Sequence, residues 1–329
     1  MMYDFISIGE MLIDFTPVHS KEASGIIFEQ NPGGAPANVA CALSKLGRRT
    51  SFIGKVGNDQ FGKFCKNALE ACNVDASNLV LSDKHATTLA FVHLSSSGNR
   101  DFSFYRKNLA DVNLEMSDIL PDLLKQTKIF HFGSVSMTDE PSRTTTLECV
   151  RLAKESGAVI SYDPNLRPSL WDSPITAKEI ITNALPLADI LKVSEEELEF
   201  LFGERDCEKA AYMVLDKFNI PFVLVSRAQY GCLAVVNSRT YSAQAYDVAT
   251  IDTTGAGDCF FAGILHNLLD FGVEIRNLQD EQINYMLEYA NAIGSLATTK
   301  KGAIPAIPSH EEIVRCMKHC NKLIRLFDV

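Results

Sequence analysis

In the stretch IDTTGAGDCFFAGI, residues 251 to 264, two glycines and an acid stand at the mouth of an apolar helical pattern. Gly255 and Gly257 carry no Cβ, so main-chain N–H groups around them and Ala256 can approach a bound group closely. A helix start adds unsatisfied donors and the positive end of the dipole. Together these make an anion site that fits a phosphate. Asp258 stands in the first helical turn. A carboxylate beside a phosphate suits one task well, taking the proton from an attacking hydroxyl during phosphoryl transfer. The same residues also fit a plainer purpose, a tight turn whose acid favours the helix dipole. On this stretch alone the two are evenly matched. GxGxxG spacing is absent because residue 260 is Phe, and no Lys-Ser/Thr pair follows the glycines as in a Walker loop.

Such a turn needs a scaffold that holds strand ends together. Short apolar runs at 5–9, 51–56, 129–133, 159–163, 190–193, 222–226 and 233–236 read as buried strands. Helical patterns fall at 36–46, 140–156, 257–269 and 309–326. The first opens on Pro36 and stops before Gly47, and the last opens on the capping box Ser309/Glu312. This alternation implies a mostly parallel, doubly wound α/β sheet with helices on both faces. Segments 10–31 and 87–106 break the rhythm and read as strand pairs, the second a hairpin around Ser97-Gly98-Asn99. Their four strands would form a small lid over the carboxyl ends of the main sheet, where such folds place their sites.

Composition narrows the function. The chain has 329 residues with a formal charge of −10, which argues against nucleic acid as a partner. No apolar run reaches the ~18 residues a membrane helix needs. The opening MMYDFISIGEMLIDF lacks a basic n-region and is broken by Asp4, Glu10 and Asp14, so a cytoplasmic protein is expected. Nine cysteines without a CxxC pair read as reduced, mostly buried thiols.

DTTGAGDCFFAG, together with GGAPANVACALSKLG more than 200 residues earlier, resembles the two signatures of the ribokinase-like (PfkB) carbohydrate kinases. The similarity runs along essentially the whole chain, 1–329, as one kinase domain. GEMLIDF, FYRKNLAD, YDPNLRPSLW and KKGAIPAIP are similar to fructokinases within that family. The resemblance implies ATP-dependent phosphorylation of a sugar hydroxyl with Mg2+, here of D-fructose to fructose 6-phosphate. It implies Asp258 as general base and the Gly255-Ala256-Gly257 main chain as anion hole. Asp14, Gly33, Gly34 and Asn38 would hold the sugar, although Gly34 also suits a turn and Asn38 an ordinary helix start. Tyr105, Arg106, Asn165 and Arg167 would face the sugar and the transferred phosphate, with Arg106 as an exposed edge charge the alternative.

For ATP the resemblance implies Lys192, Ser194, Ser226, Ala228, Gly231, Asn291 and Gly302. Ser226-Arg227-Ala228 departs from the family's Thr-x-Gly. Ser194 and Glu197 form a capping box by spacing. By resemblance they occupy the family's N-x-x-E motif, in which Glu197 serves Mg2+ through water. Asp252, Thr254, Ala297, Lys300 and Gly302 match a monovalent-cation site, which implies K+, though Ala306 lacks the hydroxyl some members supply. The exposed edges of the lid suit a homodimer. A kinase of the same family for ribose, 2-keto-3-deoxygluconate or a nucleoside is the nearest alternative. A sugar-binding scaffold without activity is a further one.

Overall fold

Successive residues of the first strand, β1 (Tyr3–Ile8), enter opposite cores: Phe5 packs on one side, Ile6 and Ile8 on the other, all fully buried. That division, set by the period of two along a strand, holds through the molecule. The computed structural model describes residues 2–18, 25–94, 100–272 and 274–323.

After β1 come β2 (Leu12–Val18), β3 (Ile27–Gly33), α1 (Ala35–Lys45), β4 (Thr50–Gly57), α2 (Gln60–Ala71), β5 (Leu79–Ser82), β6 (Leu89–Leu94) and β7 (Arg100–Tyr105). The middle of the chain forms α3 (Pro121–Leu124), β8 (Thr127–Gly133), α4 (Ser142–Glu155), β9 (Val159–Asp163), α5 (Pro174–Ala184), β10 (Ile190–Ser194), α6 (Glu195–Phe202) and α7 (Cys207–Phe218). Then follow β11 (Phe222–Ser226), β12 (Cys232–Val236), β13 (Arg239–Ala243), α8 (Ala256–Phe271), α9 (Asp280–Ala297) and α10 (His310–His319).

Nine strands make the central sheet in the order β13-β12-β11-β10-β9-β8-β1-β4-β5. It is parallel from β5 to β11, and β12 and β13 add an antiparallel edge. Helices α1, α2, α8, α9 and α10 cover one face and α3 to α7 the other. The seven apolar runs are all strands. β5 escapes sequence analysis because it has only four residues, and β13 because exposed polar residues dilute its apolar signal. All nine cysteines are free, and most are buried.

The second sheet has the order β3-β2-β6-β7. Each of the two expected pairs is antiparallel, and β2 joins β6 in parallel. The turn expected around Ser97-Gly98-Asn99 lies outside the described residues. Phe15, Phe28, Phe91 and Tyr105 pack ring on ring across this sheet.

Two helices differ from their patterns. Helix α8 is buried on all sides from Asp258 to Leu268 rather than along one stripe, because α1 and α9 enclose it against the sheet. The helix expected over 309–326 ends at His319. Beyond it the main chain turns out to pair with 245–247: Asp247 N–H donates to Asn321 O and Leu323 N–H to Ala245 O, each at 2.9 Å. This partner, remote in sequence, satisfies the Leu323 N–H that continued helix would have used. Residues 324–326 lie outside the described residues. Among the described residues, no helix is long and apolar enough to cross a membrane.

Candidate active site

Gly255 caps α8 in the left-handed region at φ 73°. A Cβ there would lie 2.6 Å from the Ala303 Cβ, so glycine is required by conformation and by space. No side chain caps the helix. The Ala256 N–H turns back onto Thr253 O at 3.2 Å, closing the turn. The anion hole expected from three residues thus has its freest N–H groups on Gly255 and Gly257.

Asp258 follows within the first turn and is buried. Asn38 of α1 donates from Nδ2 to its Oδ2 at 2.8 Å. Burial pushes the Asp258 carboxyl up from its ordinary range, the Asn38 hydrogen bond opposes this, nearby Asp163 adds to it, and Lys192 and Arg167 act against it. Asn38, expected to hydrogen-bond sugar, therefore turns its amide nitrogen to Asp258. Its buried Oδ1 meets no partner. The contact draws together residues 220 apart in sequence, since α1 packs on α8.

Lys192 reaches the same place from β10. Its ammonium pairs with Asp163 at 2.6 Å and lies beside the main chain of Gly257, where a Cβ would be 3.4 Å from Nζ. Burial works against the ammonium, but Asp163, Glu197 and Asp258 outweigh it and raise its pKa. Register explains the pair: Ile190 and Leu191 lie opposite Ser161 and Tyr162, which sets Lys192 against Asp163. The ammonium thus stands beside the glycine turn.

On the sugar side, the Asp14 carboxylate lies against Gly33, where any Cβ would collide with it. Gly34, at φ 125°, caps α1 and leaves no room beside the Glu10 carbonyl. Glu10 is itself buried. Its Oε1 accepts from Ala35 N–H at 2.9 Å, and its Oε2 meets no partner. Burial raises the Glu10 carboxyl to about 7 against main-chain hydrogen bonds and the Arg106 charge.

Arg106 is buried, not an exposed edge charge. It donates to Asp111 at 2.6 Å, to Val135 O at 2.9 Å and to Thr138 Oγ1. All three nitrogens serve protein acceptors at the base of the small sheet, so Arg106 braces the sheet in this state. Arg167 donates to Asn165 Oδ1 at 2.6 Å, and its charge acts on Asp258. Tyr105 is 63% exposed on the small sheet.

The Ser194/Glu197 capping box is formed reciprocally, at 3.1 and 2.8 Å. The other Glu197 oxygen accepts from Leu166 N–H at 2.6 Å. Both oxygens thus hold main chain. Among the described residues, no group of three or more His, Cys, Asp or Glu suits a metal ion. The buried Asp163 Oδ1 has no hydrogen-bond partner. This donor set fits an ion that keeps most of its waters, as Mg2+ does. Asp252 accepts from Thr254 N–H at 2.8 Å and Gly302 N–H at 3.0 Å, which ties the glycine turn to the loop after α9. Ala297 is buried in α9, and Lys300 faces Glu312 at 3.5 Å.

A cavity of about 390 Å³ opens beside Ala256 and Gly257. Ser194, Ser226, Ala228, Gly231 and Asn291, five of the residues that the resemblance assigns to ATP, line it. Lys192 and Gly302 do not; one stands by Gly257, the other by Asp252. Ala228 adopts φ 47°, in the left-handed region that favours glycine, so its Cβ has not prevented the turn. Asn291 donates to Leu287 O at 2.9 Å.

The model of the pfkB family carbohydrate kinase matches residues 2–310. The chain belongs to that family. It is 41% identical over 317 residues to the protein named probable fructokinase-2 of Arabidopsis thaliana, covering 95% of both. The fructokinase of Xylella fastidiosa with bound ATP superposes with a TM-score of 0.88 at 31% identity, covering 95% of this chain and 98% of that one. A double mutant of the Vibrio cholerae fructokinase holding fructose, ADP and a potassium ion gives 0.86 at 33%, covering 96% and 99%. This pfkB family member is an ATP-dependent sugar kinase.

Sequence analysis of this carbohydrate kinase does not pick out Glu10 or Asp163. Each was legible as an acid breaking or ending an apolar run at the carboxyl end of a strand.

Proposed function

We propose that this kinase phosphorylates D-fructose to fructose 6-phosphate. The observation that carries the mechanism is the buried Asp258, one residue past the Gly257 main chain and the Lys192 ammonium that lies beside it. Asp258 takes the proton of the sugar's primary hydroxyl as that oxygen attacks the terminal phosphorus of ATP. Its raised pKa suits proton uptake, and Asn38 holds its orientation. The N–H groups of Gly255 and Gly257, with Lys192, meet the charge that grows on the transferring phosphoryl group. Removing one such donor costs roughly 3–4 kcal/mol of barrier in other enzymes. Transfer is direct, with no phosphoenzyme. Asp14, with Gly33 leaving it room, grips the sugar, and Arg167 approaches the phosphate. The 390 Å³ cavity takes the nucleotide.

Mg2+ would be held through water by Glu197 and Asp163, and would neutralise phosphate charge. Carbonyls of Thr254, Ala297, Lys300 and Gly302 beside Asp252 would hold K+, an ion that one structural relative binds. The 41% identity to a probable fructokinase supports fructose over ribose, 2-keto-3-deoxygluconate or a nucleoside. We place the protein in the cytoplasm. Exposed Ile27 and Tyr105 on the small sheet support a homodimer through that lid.

An ADP-release assay across a sugar panel tests the substrate. Fructose should give the highest kcat/KM. A clearly better acceptor would displace it, and absence of turnover on every sugar would favour a binding scaffold.

A further inference from the structure

We propose that segment 321–323, after α10, is a strap that forms an apolar wall of the nucleotide cavity and sets affinity for the base, with Leu323 as the wall and Lys322 as its pin. The proposal rests on the nucleotide occupying that cavity. Residues 311–323 lie beyond the stretch that the family model matches, so nothing in the family signatures specifies them.

The strap is anchored at three levels. Its main chain bridges 245–247, with Tyr246 opposite Lys322 and hydrogen bonds of 2.9 Å on either side. The Lys322 ammonium lies 3.4 Å from the centre of the Tyr246 ring, a cation–π contact. It also pairs with Glu288 of α9, and the same Glu288 oxygen accepts from the Tyr246 hydroxyl at 2.9 Å. A further bond runs from Lys322 to Gln244 O at 3.2 Å. One lysine thus ties the strap to the loop after β13 and to α9.

Leu323, held by this anchor, lines the cavity with Tyr246, Val248 and Phe260. Gly257 lines it too, beside the Lys192 ammonium. A triphosphate needs the cationic, N–H-rich side. A purine needs flat apolar surface. Chemistry therefore assigns the part walled by Tyr246, Val248 and Leu323 to the base. Lys322 acts on it only by positioning Leu323 and Tyr246.

The test uses Leu323→Ala, Lys322→Met and Lys322→Arg in the full chain. Release of the nucleoside diphosphate, ADP from ATP and GDP from GTP, is followed, and calorimetry measures binding of the non-hydrolysable analogue AMP-PNP. Leu323→Ala should raise KM for ATP and weaken AMP-PNP binding about tenfold, as removal of a few buried methylene groups would. GTP should be weakened alongside ATP, while kcat, the sugar KM and Tm stay unchanged. Lys322→Met should weaken both nucleotides, and Lys322→Arg should restore them. AMP-PNP binding unchanged in Leu323→Ala at unaltered Tm would overturn the strap, and so would a sugar KM that moves as far as the nucleotide KM. An unmodified chain that binds AMP-PNP but turns over no sugar would count against the kinase reading instead, and the binding arm would still decide the strap.

Discussion

Asp258 and Glu10 are both buried acids with raised pKa values, yet they predict opposite kinds of pH dependence. Asp258 must be ionised to take a proton. Its acid limb in kcat/KM should therefore lie above the ordinary carboxylate range. In Asp258→Asn the amide oxygen can still accept from Asn38, so fold and substrate binding should survive. Turnover should fall about 10³-fold, the size of a lost general base. Rapid-quench and binding measurements check this, and a variant retaining a tenth of the rate would remove Asp258 from the proton transfer. Glu10 instead affects stability. Its pKa in the fold is about 7 against an ordinary 4.5, so between those values the folded chain holds more proton than the unfolded one. Stability therefore declines as pH rises through that window and levels off above it. Glu10→Gln removes this contribution. From pH 5 to pH 8 the unmodified chain should lose about 2.5 kcal/mol more than the variant. Urea titrations at both pH values measure the difference, and parallel losses would mean that Glu10 is ionised in the fold.

At the scale of elements, the site depends on where α1 and α8 begin. Each opens after a glycine with positive φ, Gly34 and Gly255. Helices α1, α4, α8 and the start of α10, the Ser194/Glu197 box and the glycine turn were legible in sequence because they depend on neighbours within four residues, whereas α2, α3, α5, α6, α7 and α9 were not read. The Asn38–Asp258 and Lys192–Asp163 contacts were not, since each needs two elements packed or paired in register. Gly33, at the end of β3, has no positive φ to require glycine; what it protects is the Asp14 carboxylate. Gly33→Ala should thus leave the backbone intact and displace Asp14. Loss of one charged hydrogen bond to the sugar implies a sugar KM raised about 10- to 100-fold, with KM for ATP within about twofold. Equal shifts in both constants would indicate general damage to the site instead.

For the whole molecule, the small sheet is braced by Arg106 on Asp111, Thr138 and Val135, and we propose it as a lid over the carboxyl ends of the large one. Closing this lid over bound sugar would exclude water from the transfer. Solution scattering with fructose and a non-hydrolysable ATP analogue should show a smaller radius of gyration than the free chain. An unchanged radius would mean that the lid is already in its working position. The same measurement reports whether two lids pair.

Sequence alone determined the doubly wound class, the small extra sheet, the glycine turn and the acid beside it, because period, caps and signatures are local properties. It also supplied Arg106 and Asn38, but not their partners. Tertiary structure decided that Arg106 braces the lid, that Asn38 turns to Asp258, and that residues 321–323 leave the helix to pair with 245–247. Hydrogen-bond and charge partners 29 to 220 positions apart are fixed only when strand register and helix packing bring them within reach, and no local pattern carries that information.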